Sequence, residues 1–121
     1  MAAHKALVVD DSLTDLNNIK AILQEAGWMV STASNGEQAL EKARADKPSI
    51  IFMDIVMPQL DGYGTSRLLA EDATTKGIPV VFVSTKNSKA DHVWARAQGG
   101  KALIGKPYAS NDIVDALKFA V

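Results

Sequence analysis

The sequence predicts a doubly wound α/β fold, a five-stranded parallel sheet with helices on both faces, and three observations carry that prediction. Residues 6–9, 50–53 and 80–83 are apolar runs without polar alternation, so both faces of each strand must be covered, as in parallel sheets flanked by helices. Between the runs lie stretches whose apolar residues recur at helical spacing, the alternation of a doubly wound domain. Each run also stops abruptly at a polar residue: Asp10, Asp54 and Ser84. In open parallel sheets ligands bind outside the carboxyl ends of the strands, so these stops mark one edge as the place to look for chemistry.

Taken in order, residues 5–9 form a first buried strand running into Asp10, Asp11 and Ser12. Residues 13–26 carry Leu16, Ile19, Ile22, Leu23 and Ala26 at helical spacing, begun by a Ser12 or Thr14 cap and ended by Gly27. Residues 28–33 form a second strand whose polar downstream half suits a sheet edge, and Asn35-Gly36 turns the chain. Residues 37–45 place Ala39, Leu40 and Ala43 on one side of a short amphipathic helix that Asp46-Lys47-Pro48 stops. The central strand follows and ends at Asp54. The turn sequence Gln59-Leu60-Asp61-Gly62 leads into a helix over 63–72, with Leu68 and Leu69 expected inside.

Pro79 opens the fourth strand without interrupting it, and polar residues resume at Ser84 and Thr85. Residues 89–98 read as a weakly amphipathic helix with Val93, Ala95, Ala97 and Trp94 as its apolar residues, ended by Gly99-Gly100. A short strand over 102–104 runs into Gly105-Lys106-Pro107. Ser110 is expected to cap the last helix, with Asn111 and Asp112 in its first turn and Ile113, Val114, Leu117 and Ala120 on its inner face. The turn at Lys106 must aim the lysine back over the sheet edge, and a cis Lys106-Pro107 bond, costing only about 0.5–1 kcal/mol, is the expected way.

Length and composition exclude several functions. With 121 residues the chain accommodates a single domain, 1–121, and no separate effector module. Thirteen basic and 14 acidic residues give a net charge of −1; no basic stretch tracks a phosphate backbone, so nucleic-acid binding is not expected. Neither a membrane span nor a signal peptide's apolar core is legible, which makes the cytoplasm the expected location. No cysteine is present, so neither disulfides nor thiolate chemistry enter. His4 and His92 lack partners at ligand spacing and are expected on the surface.

Asp10 and Asp11 after the first strand, Asp54 after the third, Ser84 after the fourth and Lys106 after the fifth share one edge of the sheet. In the flavodoxin-like order 2-1-3-4-5 the first and third strands are neighbours and the three carboxylates face one another at the switch point. Two carboxylates about 5 Å apart at an effective dielectric of about 20 repel by roughly 3 kcal/mol, so such a cluster calls for a cation. Oxygen-only ligands select Mg²⁺, or Mn²⁺, over zinc. A metal of that kind invites a phosphoryl group, and one carboxylate could attack phosphorus while Lys106 and Ser84 hold the equatorial oxygens.

Val8-Val9-Asp10-Asp11-Ser12, residues 53–62 from Met53-Asp54 to Asp61-Gly62, residues 78–84 and Lys106-Pro107 together resemble the receiver domain of two-component response regulators, over essentially the whole chain. That resemblance implies Asp54 as the phosphoacceptor and Asp11 as a direct Mg²⁺ ligand. It also implies Asp10 as a ligand through water, Val56 as a ligand through its carbonyl, Ser84 as the switch hydroxyl, Lys106 as the phosphate-contacting lysine and Thr85 as a tuner of rate. It implies a sensor histidine kinase as phosphohistidine donor, and a downstream protein target meeting the fourth helix, fifth strand and fifth helix. Glu71-Asp72-Ala73-Thr74, Ser84-Thr85-Lys86 and residues 91–99 look like the stand-alone receivers of type IV pilus twitching-motility systems, the PilH-like group. One departure is Leu103, where receivers commonly carry an aromatic residue that rotates inward when the switch hydroxyl moves.

Two other classes compete. An aspartate-nucleophile phosphatase of the haloacid dehalogenase type needs a second Asp two residues after the nucleophile, where this chain has Val56. A flavin or nucleotide carrier needs a phosphate-cradling loop after the first strand, where Asp10-Asp11 would repel it. Within the receiver class, output passes to a partner protein or ends in phosphate drainage from a shared kinase.

Overall fold

A computed structural model describes residues 4–121 of the chain. Strands β1 (Lys5–Val9), β2 (Met29–Ala33), β3 (Ile50–Asp54), β4 (Val80–Ser84) and β5 (Ala102–Gly105) alternate with helices α1 (Leu13–Glu25), α2 (Gly36–Asp46), α3 (Gly62–Glu71), α4 (Lys89–Ala97) and α5 (Ser110–Ala116). A 3-10 turn over Leu117–Phe119 closes the last helix. All strand pairs are parallel, in the order β2-β1-β3-β4-β5. The expected fold class is the one observed.

The period of two along each strand explains why the apolar runs do not alternate with polar residues. Leu7, Val9, Ile51, Met53 and Phe82 face one layer, where Ala39 and Ala43 of α2, Leu69 of α3 and Ala95 of α4 close over them. Ala6, Val8, Ile50, Phe52, Val81 and Val83 face the other, against Leu16, Ile19 and Leu23 of α1 and Ile113 and Ala116 of α5. Every residue of β3 and of β4 is buried, and each large side chain so covered contributes roughly 1.5–3 kcal/mol. Only β2 and β5 lie at edges, and β2 is half-exposed along most of its length, as its polar half led one to expect.

Register then aligns the chemistry. Val9 pairs with Met53, so Asp10 and Asp54 leave adjacent strands at the same level. Asp54 lies opposite Val83 and Ser84 opposite Gly105, which brings Ser84 and Lys106 to the same edge.

Local signals start and stop the helices. Ser12 Oγ accepts the Asp15 N–H at 3.4 Å, Asn35 Oδ1 the Gln38 N–H at 2.8 Å, and Asp61 Oδ1 the Gly64 N–H at 2.7 Å. Ser88 and Asp91 cap α4 reciprocally. Gly27 takes the left-handed conformation that ends α1, with φ +90°.

Five details of the sequence reading change. Ser110 is the first residue inside α5 and not its cap; Ala109 precedes the helix, and the Asp112 carboxylate accepts the Ala109 N–H at 3.0 Å. Leu68 is exposed, because the inward position of that turn of α3 belongs to Leu69. In α4 only Ala95 is buried, while Val93 and Trp94 are 68 % and 56 % exposed. Val114 turns outward between the buried Ile113 and Ala116. Ala26 is exposed as the C-cap of α1.

Gly62 lets α3 start directly under β3. A Cβ at that position would collide with the Asp54 carbonyl oxygen, which is backbone of the central strand and cannot swing away. The Gly62 N–H instead donates to the Ile55 carbonyl at 2.8 Å. Gly62→Ala is therefore expected to cost about 1–3 kcal/mol of unfolding free energy by urea titration, as overpacking does. Gly77→Ala, where a Cβ meets nothing within 4 Å, should change stability by less than about 0.5 kcal/mol.

Candidate functional site

Asp10 continues β1 and remains pinned there, its N–H donating to the Ala33 carbonyl at 3.1 Å. Its Oδ1 accepts the Ser12 N–H at 2.9 Å, which turns the chain into α1 and leaves Asp11 exposed at the rim. Asp54 ends β3 and is 7 % exposed; Asp10 is 1 % exposed. One carboxylate oxygen from each of Asp10, Asp11 and Asp54 lies within 4.8 Å of the others. The three carboxylates expected to converge do so.

Lys106 supplies the compensating charge from the loop after β5. Its Nζ donates to Asp10 Oδ2 at 2.9 Å and to Asp15 Oδ2 at 3.0 Å, and stands 3.7 Å from Asp54 Oδ1. Its backbone N–H donates to the Ser84 carbonyl at 2.8 Å, and the Lys106-Pro107 bond is cis, as expected. Ser84 is 1 % exposed, and its Oγ accepts the Lys86 N–H at 3.1 Å, leaving the hydroxyl proton as the part that can meet a new acceptor. Thr85 is exposed at the mouth of the same edge, and Val56 is 55 % exposed in the loop after β3. His4 and His92 are on the surface.

Burial is the largest influence on the Asp54 carboxyl, and the Asp10 charge adds to it; the Lys106 ammonium opposes both, and the net effect pushes the group up to about 6. For Lys106 burial disfavours the ammonium, but hydrogen bonds to Asp10 and Asp15 outweigh it and hold the pKa above the usual lysine value. One fixed positive charge thus faces an acidic cluster that carries more negative charge than it can neutralise.

Two residues of this site escaped sequence reasoning. Asp15 lies in the first turn of α1, and its signal was its place three residues after the Ser12 cap, on the same edge as Asp10. Tyr108 follows Lys106 by two residues; its Oη is buried without a hydrogen-bond partner, and burial raises its pKa, with the Asp15 charge adding to the effect. The residues fit a hard divalent cation: three carboxylates, no nitrogen or sulfur donor, and an unbalanced negative charge.

With a folded-state value near 6 against 3.8 for an ordinary aspartate, Asp54 contributes stability that is fully present below about pH 4 and is lost as pH rises through about 6. In metal-free protein, Asp54→Asn should therefore gain on the wild type between pH 4.5 and 7.5, by roughly 2–3 kcal/mol at most, read from urea unfolding at each pH. Equal pH profiles for the two proteins would contradict this electrostatic reading.

Comparison with known proteins agrees with the fold. A family model described as the response regulator receiver domain matches residues 6–118. The chain is 42% identical to the protein PilH of Pseudomonas aeruginosa over 103 residues, 85% of each chain. It is 36% identical to PilG of the same organism, over 94% of this chain and 84% of that one. Among solved structures, the chemotaxis protein CheY4 of Vibrio cholerae superposes with a TM-score of 0.91 at 28% identity, covering 99% of this chain and 100% of that one. With its acidic cluster and lysine on the carboxyl edge of a 2-1-3-4-5 sheet, the chain belongs to the response regulator receiver domain family.

Proposed function

We propose that this protein is a phosphoacceptor switch, taking a phosphoryl group from a histidine kinase onto Asp54 and signalling by protein–protein contact in twitching-motility or chemotaxis-like control. The observation that carries the reading is the position of Asp54: a buried carboxylate ending the central strand, beside Asp10 and Asp11 and 3.7 Å from the Lys106 ammonium. Similarity to PilH and PilG over more than four-fifths of the chain favours the pathway.

In the transfer, an Asp54 carboxylate oxygen attacks phosphorus as the P–N bond of a phosphohistidine breaks, and the imidazole nitrogen keeps the bonding pair and takes a proton. Asp11, Asp54 and the Val56 carbonyl would hold Mg²⁺ directly and Asp10 through water, Mn²⁺ being able to substitute. The ion supplies positive charge opposite the transferring oxygens. Lys106 offers a point charge to one phosphoryl oxygen, and Ser84 its hydroxyl proton to another. Thr85, exposed directly after Ser84, would tune access of water to the acyl phosphate. No second acid follows Asp54 at the spacing a phosphatase of the haloacid dehalogenase type uses, since Val56 stands there; the chain catalyses at most its own phosphorylation and dephosphorylation.

Phosphorylation adds up to about two negative charges and three strong acceptors at Asp54. Ser84 moves toward them, dragging the loop whose Lys86 N–H it now holds. Leu103, 8 % exposed and packed with Phe82 and Ala95 in the α2–α4 layer, has no ring to rotate. The change therefore centres on residues 84–89 and on α4, where Val93 and Trp94 already face solvent and form, with β5 and α5, the surface for a downstream partner. Among the described residues no helix is long and apolar enough to cross a membrane, in keeping with a cytoplasmic switch.

Incubation with acetyl phosphate and Mg²⁺ should give a single acid-labile phosphoryl adduct by mass spectrometry on the wild type and none on Asp54→Ala. A full-yield adduct on that variant would sink the assignment. Amide shifts on adding beryllofluoride should be largest over residues 84–89 and α4; largest changes at Leu103 and α5 with a still 84–89 loop would contradict the relay described.

A further inference from the structure

Lys106 is committed in two directions. Its ammonium has three protons to donate; two go to Asp10 and Asp15, at 2.9 and 3.0 Å, while Asp54 stands at 3.7 Å, outside hydrogen-bond distance. Of the two bonded carboxylates, Asp10 belongs to the cluster that would face a divalent cation, and an ion there draws on its charge. Asp15 does not belong to that cluster. A divalent ion in that cluster would therefore leave the Asp15 charge beside the lysine.

The fold fixes Asp15 in that role. Its backbone N–H is held by the Ser12 cap of α1, and α1 itself is anchored by Leu16 and Ile19 packed under the sheet. Its side chain is about one-third exposed and that of Lys106 12 % exposed, so the pair is partly shielded from solvent and its geometry is not that of two free surface chains. Tyr108 Oη, on the loop that carries Lys106, is buried without a hydrogen-bond partner, and the Asp15 charge adds to the burial that raises its pKa.

We propose that Asp15 is a positioning residue for Lys106, competing with the phosphoryl group for the ammonium and so setting how tightly that group is held at Asp54. The proposal rests on the phosphoacceptor reading. In the resting protein the Asp15 contact holds Lys106 on the α1 side of the site. A phosphoryl oxygen at Asp54 must draw the ammonium toward itself against that contact, through the third proton or by exchange of the Asp15 bond. Neutralising Asp15 without changing its shape removes the competitor and leaves Lys106 to the phosphoryl group.

The test is the affinity of the 121-residue chain for beryllofluoride in saturating Mg²⁺, followed by amide shifts, with the ¹⁵N signal of the Lys106 ammonium observed in parallel. Asp15→Asn should bind about fivefold more tightly than the wild type, the scale of one partly exposed ion pair. Its Lys106 ammonium signal should be shifted before beryllofluoride is added, and Asp15→Glu should return both readouts toward wild type. Far-UV circular dichroism and melting temperature check folding, and Asp15→Ala serves if the amide variant is unfolded. Unchanged or weaker binding by a folded variant overturns the proposal. Tighter binding with an unmoved Lys106 signal also overturns it, since that pattern is a general field effect and not positioning. A wild type that binds no beryllofluoride removes the phosphoacceptor reading and this proposal with it; a wild type that binds, with a variant no different, removes only this one.

Discussion

The ion pair between a half-buried Lys106 and a fully buried Asp10 is the constraint on which the rest of the site depends. Two buried carboxylates on adjacent strands would repel strongly in a medium that screens poorly, and removing one partner from such a network typically costs 3–5 kcal/mol because the other charge is left uncompensated. The lysine must therefore be delivered from the far side of the sheet to the β1–β3 junction. The Lys106 N–H bond to the Ser84 carbonyl fixes the loop that delivers it. A switch built this way stores its responsiveness in charge imbalance: one ammonium holds the acidic cluster together and still leaves an unneutralised excess.

That imbalance links stability to function. The same burial that pushes the Asp54 carboxyl up to about 6 leaves it flanked by negative charge that a divalent ion would meet and a phosphoryl dianion alone would not. In the proposed switch one carboxylate would serve both metal and phosphoryl group, and proton release on metal binding is expected. Packing supplies the rigidity. Asp54 is the last residue of a strand buried on both faces, and Gly62 approaches its carbonyl oxygen closely, which is why the proposed displacement is assigned to the exposed loop after Ser84 and to α4.

Much of this was legible in the sequence because two physical periodicities are written there directly. Unbroken apolar runs bounded by turn signals read as strands covered twice, and the polar residues that end them, Asp10, Asp54 and Ser84, marked the edge; Lys106 came from its place after the short last strand. The errors arose where the signal is local and weak. Leu68 and Leu69 are adjacent, and a helix can bury only one of them on a narrow contact; composition does not say which. Ser110 and Asp112 both suit the start of a helix, and the choice of Asp112 as the group that reaches back depends on a register of one residue. Asp15 escaped because an acid in the first turn of a helix is ordinarily explained by the helix dipole. Only the three-dimensional arrival of Lys106 from 91 positions further along the chain gives it a second role.

The most direct measurement is a crystal structure of the protein with Mg²⁺ and beryllofluoride. Beryllium bonded to an Asp54 carboxylate oxygen is expected, with Mg²⁺ touching Asp11 and Asp54 and both Lys106 Nζ and Ser84 Oγ on the fluorides. Beryllofluoride on another side chain, or an ion bound away from Asp10, Asp11 and Asp54, would contradict the assignment of this edge as the switch.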